Sequence, residues 1–262
     1  MTSATATATA TATPTLARPL STAEPERRPS VSRLTGLEIR KSLSTRSGRT
    51  LVGTAAVLPA VGISLVFALG QDVPGAAEML GLLGTLVAML MVAVGVLSTA
   101  GEWTHGTVQT TFLTVPRRSR VLLAKYAGMA VLGGVIATIV VGSTFAVAAV
   151  AAGPAFTWTG AGVAVIATIG AGMAMTVVGA GIGAAVANAP AALTGTYVVL
   201  LVVITALHGI KPTWAQKIDP LQATADLISG AGSTATPIAI LAGWVLVTGA
   251  AGAVVTRRRA IS

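Results

Sequence analysis

Long apolar stretches alternate with short polar segments along this chain. No Asp, Glu, Lys or Arg occurs from Met79 to Gly101, and none occurs from Tyr126 to Ile210. A soluble core does not contain uncharged stretches of this length, whereas a helix that crosses the hydrocarbon core of a membrane needs about 20 apolar residues. The pattern therefore predicts an integral membrane protein.

Six windows of the chain are apolar and long enough to cross a membrane. They are Leu51–Leu69, Met79–Ala100, Ala127–Ala152, Ala161–Ala187, Ala191–Leu207 and Pro237–Val255. We expect helices, because lipid leaves every backbone polar group to be satisfied within its own segment. The alternation typical of transmembrane β-strands is missing from the sequence. The predicted fold is an all-α integral membrane protein with six transmembrane helices.

Composition and charge distribution agree with this class. Hydrophobic residues make up 53% of the chain and charged residues 10%, compared with about 25% charged residues in soluble domains. The net charge is +9, yet 15 of the 17 basic residues fall on one side of a six-span topology, and the other side holds only Lys211 and Lys217. This asymmetry follows the positive-inside rule. We therefore expect a multi-pass protein of the cell (plasma) membrane with both termini in the cytoplasm, and no nucleic-acid binding.

The region before the first span divides into two parts. Residues 1–33 are rich in Thr, Ala and Pro and show no apolar face, so we expect a disordered cytoplasmic tail without the apolar core of a signal peptide. Leucines then recur near helical spacing from Leu34 to Leu43. Three charged residues lie between them: Glu38, Arg40 and Lys41. The pattern predicts a helix in the cytoplasmic interface, with an unstructured basic lead-in as the alternative. Residues 34–259 form the predicted six-span domain.

A charged segment, Glu102 to Lys125, separates the second and third spans. Within it Val108, Phe112 and Val115 recur at i, i+4 and i+7, which predicts a two-turn helix with one apolar stripe. Such a helix fits the groove of a partner protein or rests on the membrane surface. The basic residues expected to anchor the third span are Arg117, Arg118, Arg120 and Lys125, and the three arginines are candidate counter-charges for Glu102.

The longest loop on the other side of the membrane carries its own helical signal. Asp219 and Pro220 precede an apolar face that ends at Ser229–Gly230, which predicts an N-cap, a first-turn proline and a C-terminal glycine. Leu221 and Ile228 should be shielded in this short helix, and Gln222 should be exposed. Pro212 and Trp214 indicate an earlier half-turn.

Signals for catalysis are scarce in the sequence. It contains no cysteine and no phosphate-binding G-x-x-x-x-G-K-[ST] motif. His105 and His208 are predicted on opposite sides, so we expect no metal site and no catalytic pair. The glycine run 179–183 lies inside an apolar span and indicates close helix packing rather than a dinucleotide loop.

Transport coupled to protons or ions is also disfavoured. Carriers of that kind expose ionisable groups at membrane depth, and the span interiors of this chain contain none. The hydroxyl groups within the spans either line a pathway or bond between helices: Ser64, Thr138, Ser143 and Thr176.

Several of these segments resemble the permease subunits of ATP-binding-cassette transporters of the second exporter type. The similar motifs are Glu102-x-x-x-Gly106-Thr107, the apolar helical run after it, Pro116-x-x-Ser119-Arg120 and Ala124–Lys125. Glu38-x-x-Lys41 resembles that family's interfacial helix. Pro212-x-Trp214 and Asp219–Pro220–Leu221 resemble its extracellular helices between spans five and six. The resemblance covers Leu34 to Arg259.

The resemblance implies a function as well as a fold. It makes Thr107 to Val115 a cytoplasmic coupling helix, with Glu102, Gly106, Thr107, Val108, Phe112 and Val115 as partner-binding residues. The chain would pair with a second copy or a sister permease in the lipid bilayer. A separate cytosolic ATPase would bind ATP and Mg, so this chain would carry no cofactor and would not be an enzyme itself.

The resemblance also indicates a class of cargo. The Ala, Gly and Thr content is typical of a high-GC, actinobacterial source, in which such permeases export drugs, antibiotics or lipids. The alternatives from other classes are a membrane scaffold or sensor and an ATP-independent carrier or channel.

Overall fold

The computed structural model describes residues 31–44, 46–71, 75–104, 118–230 and 232–258. Within these ranges six helices are long and apolar enough to cross a membrane, which confirms the predicted all-α, multi-pass architecture. We number them spans 1 to 6: Gly48–Ala68, Ala76–Thr104, Val121–Ala151, Ala161–Val186, Ala189–Ile210 and Ala235–Arg258.

The helices of the described ranges have the following bounds. They are α1 (Val31–Ser44), α2 (Arg46–Ala68), α3 (Ala76–Thr104), α4 (Arg118–Ala151), α5 (Ala161–Val186), α6 (Ala189–Tyr197), α7 (Ile204–Ile210), α8 (Pro212–Ala215), α9 (Pro220–Ser229) and α10 (Ala235–Arg258). A π-helical segment, Val198–Val203, joins α6 to α7 within span 5. The third span begins at Val121 rather than at the predicted Ala127, so Lys125 lies inside the span.

Span 4 lies against spans 2, 3 and 6 and forms the centre of the bundle. Its glycines bring backbones together. A Cβ atom at Gly181 would lie 2.6 Å from the carbonyl carbon of Thr248 in span 6, closer than real Cβ atoms come. Gly179 faces the backbone of Val92 in span 2 in the same way. The glycine run is therefore a helix-packing surface, as predicted.

The connections group at two ends of the bundle. Gly75, before span 2, pairs with Thr157, before span 4, and the backbone nitrogen of Ala76 donates to the Thr157 carbonyl at 2.9 Å. At the opposite end, the backbone nitrogen of Ala189 donates to the Thr104 hydroxyl at 3.4 Å, which links the end of span 2 to the start of span 5. Spans 2 and 4 thus begin at the same end. The side of the membrane that each end faces stays a prediction.

Helix α1 packs along the first turns of α4. It begins at Val31, inside the predicted tail 1–33, and the first 30 residues lie outside the described ranges. Gly128 in α4 permits the close approach, because a Cβ atom there would lie 3.1 Å from the Glu38 Cβ. A helix is therefore present where the unstructured lead-in was the alternative. Its position in a membrane interface stays a prediction.

Helix α9 begins and ends as the sequence predicts. The Asp219 carboxylate caps it by accepting hydrogen bonds from the backbone nitrogens of Leu221 at 2.8 Å and Gln222 at 3.1 Å. Gly230 ends it in the left-handed conformation, with φ of 70°. Leu221 and Ile228 are buried and Gln222 is exposed. The segment between spans 5 and 6 is therefore a packed element rather than a plain loop.

Candidate functional site

Four charged side chains from three helices meet at the end of the bundle where span 2 ends. The Lys125 Nζ lies 2.5 Å from the Glu38 Oε2 and 2.7 Å from the Glu102 Oε1. The Lys41 Nζ lies 2.8 Å from the same Glu102 oxygen. We call Glu38, Lys41, Glu102 and Lys125 the charge cluster. Its two ammonium groups balance its two carboxylates.

Local helix geometry places each member. Glu38 and Lys41 are three residues apart in α1, so they share one face of that helix. Glu102 lies in the last turn of α3, and Lys125 lies about two turns after the start of α4. The Glu102–Lys125 pair therefore holds together the two ends of the segment 105–117. Helix α1 is attached to the same point through Glu38 and Lys41.

Burial makes these contacts energetically important. The Lys125 side chain is 6% exposed and the two glutamates are each 12% exposed, whereas Lys41 is 37% exposed. Removing one partner of a buried ion pair commonly costs about 3–5 kcal/mol, because an uncompensated charge is left behind. Lys41 contributes less, since pairs that water reaches are worth about 0–1 kcal/mol.

Glu102 has two described partners that the sequence did not suggest. Lys125 and Lys41 bind its carboxylate, and the role of the three arginines as counter-charges stays a prediction. Arg117 and the side chains of Arg118 and Arg120 lie outside the described residues. Lys125 was expected only to anchor the span at its boundary. Its buried ammonium group instead joins three helices, while Arg40 is exposed and takes no part in the charge cluster.

The predicted partner-binding helix falls in a part of the chain that the structure does not describe. Gly106, Thr107, Val108, Phe112 and Val115 all lie outside the described residues. The structure instead describes how the segment that contains them is attached: α3 ends at Thr104 and α4 begins at Arg118, on either side of the charge cluster.

The hydroxyl groups named from the sequence bond within their own helices. Ser64 donates to the Ala60 carbonyl at 2.7 Å, and Thr176 donates to the Gly172 carbonyl at 2.7 Å. Thr138 and Ser143 likewise donate to carbonyl groups of the preceding turn. These bonds are therefore neither the predicted bonds between helices nor evidence for a pathway lining. A hydroxyl group within a span can donate to a carbonyl of its own helix, so it needs no partner helix.

An apolar cavity of about 400 Å³ lies between spans 2, 4, 5 and 6. Its walls include Val92, Met175, Val199 and Trp244, and no ionisable residue lines it. The hydroxyl of Thr196, also in the wall, donates to the Ala192 carbonyl at 2.6 Å. The cavity therefore suits an apolar molecule, and its volume is in the range of small-molecule sites.

The described residues include no group of three or more His, Asp or Glu side chains that could hold a metal ion. His208 contacts the Ile204 carbonyl through Nδ1 at 3.1 Å, and its Nε2 lies 3.9 Å from the Asp219 carboxylate. His105 lies outside the described residues.

Comparisons with known proteins add no assignment. No protein-family model matches this sequence, and no curated protein is significantly similar to it.

Proposed function

We propose that this chain is the membrane-spanning permease subunit of an ATP-driven exporter. Two such subunits, identical or sister chains, form one substrate pathway across the cell membrane. A separate cytosolic ATPase, which binds ATP and Mg, supplies the energy. Both termini and the segment 105–117 face the cytoplasm.

The charge cluster is the observation that carries this proposal. A force applied to segment 105–117 reaches spans 2 and 3 together, because Glu102 and Lys125 join the two ends of the segment at 2.7 Å. The same force reaches α1 through Glu38. A surface loop of a scaffold needs no such rigid attachment. A segment that transmits the movement of an ATPase does need it.

The transport step follows from this attachment. Closure of the two ATPases on ATP pushes the Thr107–Val115 helix, and the charge cluster moves spans 2 and 3 as a unit. Span 4 follows span 2 because their backbones touch at Gly179 and Val92. The pathway then changes from inward-open to outward-open. The apolar cavity supports a hydrophobic cargo, such as a drug, an antibiotic or a lipid.

The composition of the span middles disfavours an ATP-independent, proton-coupled carrier. No Asp, Glu, Lys or Arg occurs from Tyr126 to Ile210, and His208 lies near the end of span 5. The middle of spans 3, 4 and 5 therefore offers no acidic or basic side chain that would titrate during transport.

The test uses two variants and a matched control. Phe112→Asp should release the ATPase, since loss of a buried aromatic anchor commonly costs ~2 kcal/mol or more at an interface. Thr114→Asp adds the same charge about 200° away around the predicted helix and should leave ATPase binding intact. Glu102→Ala should lower transport more than ATPase binding, because Lys125 keeps its Glu38 partner.

The measurements are ATP hydrolysis and efflux of a hydrophobic dye from vesicles that contain the permease and the ATPase that purifies with it. If no ATP-hydrolysing subunit purifies with the wild-type chain, the proposal is wrong. Equal effects of Phe112→Asp and Thr114→Asp would show that the apolar stripe is no docking surface.

A further inference from the structure

Helix α1 turns one side toward the bundle and leaves its other side exposed. Glu38 and Lys41 reach the charge cluster from the inner side. On the outer side Arg33, Leu37 and Arg40 are exposed, at the i, i+4 and i+7 spacing of a single helix face. We call these three residues the basic stripe. The outward face of α1 is thus a leucine between two arginines.

The contacts of α1 place it beside the first turns of span 3. The Thr35 hydroxyl donates to the Ala124 carbonyl at 3.5 Å, and Gly128 lies close to Glu38. Span 3 begins at Val121, so Gly128 lies about 10 Å along the span at 1.5 Å per residue. Amphipathic helices at a membrane surface lie about 5–10 Å into the boundary between headgroups and acyl chains. Measured from the start of span 3, α1 lies at this depth.

The side chains of the basic stripe suit the same boundary. Leu37 is 56% exposed, and at this depth its side chain meets acyl chains rather than water. An arginine beside it keeps its apolar stem along the hydrocarbon and extends its guanidinium group to the headgroups. The alternation of arginine and leucine therefore fits a surface that is polar above and apolar below.

The positive charge at this end is not balanced within the described part of the chain. Glu38 and Glu102 are the only described carboxylates at this end, and lysines of the charge cluster bind both. Arg40 takes part in none of the ion pairs formed between described residues. Arg46 and Arg49, at the start of α2, are also exposed and add to the positive charge. A phosphate group suits this surface, because a guanidinium group binds phosphate through two parallel hydrogen bonds.

We propose that the basic stripe binds anionic phospholipids of the leaflet that surrounds this end of the bundle. The Arg40 guanidinium group contacts a lipid phosphate, Arg33 adds a second positive charge, and Leu37 enters the upper part of the acyl region. A soluble acidic protein fits this face less well, since Leu37 lies level with apolar turns of span 3. This inference does not depend on the export function, because lipid binding needs neither the ATPase nor transport.

The test exploits the absence of cysteine from the chain. Ser44 is exposed about one turn beyond Arg40, so Ser44→Cys carries a fluorophore beside the basic stripe. The labelled full-length protein is placed in phosphatidylcholine vesicles with increasing amounts of phosphatidylglycerol or phosphatidylcholine that bear a nitroxide near the headgroup. We expect half-quenching at a mole fraction of phosphatidylglycerol on the order of tenfold lower than that of phosphatidylcholine.

Two arginine variants separate the basic stripe from the general charge of this end. Arg40→Gln should reduce the preference for phosphatidylglycerol about fivefold, which is the effect of one basic residue near a membrane surface. Arg258→Gln is the matched control and should leave the preference unchanged. Arg258 is an exposed arginine at the end of span 6, and this part of span 6 packs against the start of span 3 through Tyr126 and Gly249.

A label at Leu37→Cys tests the depth of the stripe. Nitroxides near the headgroup should quench this label more strongly than nitroxides near the end of the acyl chain, because Leu37 is placed in the upper acyl region.

Three results would overturn the proposal. The first is half-quenching of the Ser44→Cys label at equal mole fractions of the two lipids. The second is an unchanged preference in Arg40→Gln, or an equal loss in Arg258→Gln. The third is a Leu37→Cys label that neither nitroxide quenches, or a disulfide-linked dimer of unlabelled Leu37→Cys on oxidation in membranes. Water or protein, and not lipid, would then cover the basic stripe.

Discussion

Lys125 is buried between helices, whereas most lysines extend their ammonium group toward water. Its side chain is 6% exposed inside span 3, and two carboxylates from two other helices neutralise it. Lys41 binds the same Glu102 oxygen from a more exposed position. The two lysines thus differ in how much the fold depends on them.

Replacing Lys125 should test this difference. Lys125→Met keeps the apolar stem but leaves Glu38 and Glu102 without their shared cation, so we expect the free energy of unfolding to fall by about 3–5 kcal/mol. Lys41→Met should lower it by no more than about 1 kcal/mol. Denaturant titration in detergent micelles measures both.

A compensating set of substitutions serves as the control. Adding Glu38→Gln and Glu102→Gln to Lys125→Met removes the uncompensated charges and should restore most of the lost stability. If the triple variant is no more stable than Lys125→Met alone, uncompensated charge is not the cause of the loss.

At the scale of the helices, span 4 determines how closely the bundle packs. Its glycines differ in their surroundings. Gly181 touches the backbone of span 6, whereas a Cβ atom at Gly170 in the same helix meets nothing within 4 Å. Identical substitutions at these two positions therefore separate helix propensity from helix packing.

Gly181→Ala should destabilise the bundle by about 1–3 kcal/mol, because spans 4 and 6 must move apart to admit the methyl group. Gly170→Ala should be neutral or stabilising by up to about 1 kcal/mol, since alanine favours helix over glycine. Thermal unfolding in detergent distinguishes the two. Equal effects would mean that spans 4 and 6 do not touch at Gly181.

An element could be predicted from the sequence when the residues that determine it lie within its own short segment. Hydropathy defines the spans because lipid cannot hydrogen-bond, and Asp219 and Gly230 bracket α9 by satisfying its terminal backbone groups. The π-helical segment Val198–Val203 was not predicted, since its six residues are all Val or Leu and contain no marker such as Gly or Pro.

The charge cluster could not be predicted for a different reason. Glu38 lies 87 residues before Lys125 in the sequence, and only the packing of α1 on α4 brings them together. The charges themselves were apparent, and each was singled out separately. Lys125 carried one further signal, because it directly precedes the longest uncharged run.

At the scale of the whole molecule, the connections between the spans meet at two opposite ends of the bundle. Gly75 and Thr157 meet at one end, and Thr104 and Ala189 meet at the other. The distribution of basic residues predicts which end faces the cytoplasm.

Cysteine labelling should establish the orientation. The chain contains no cysteine, so single cysteines report without background. Thr157→Cys and Ser233→Cys, exposed at one end, should react with a membrane-impermeant thiol reagent in intact cells. Arg46→Cys, exposed at the start of α2, should react only after the cells are opened. Reaction of Arg46→Cys in intact cells would contradict the topology.

The charge cluster also has a consequence for biosynthesis. A ribosome makes Glu38 first, Glu102 next and Lys125 last. Until span 3 is made, Lys41 is the one ammonium group of the charge cluster that the nascent chain contains, beside the carboxylates of Glu38 and Glu102. Lys125 brings the second ammonium group, so the charge cluster is complete only once the start of span 3 has been made. A nascent chain that stalls before Lys125 therefore lacks the one group that joins Glu38 in α1 to Glu102 in span 2.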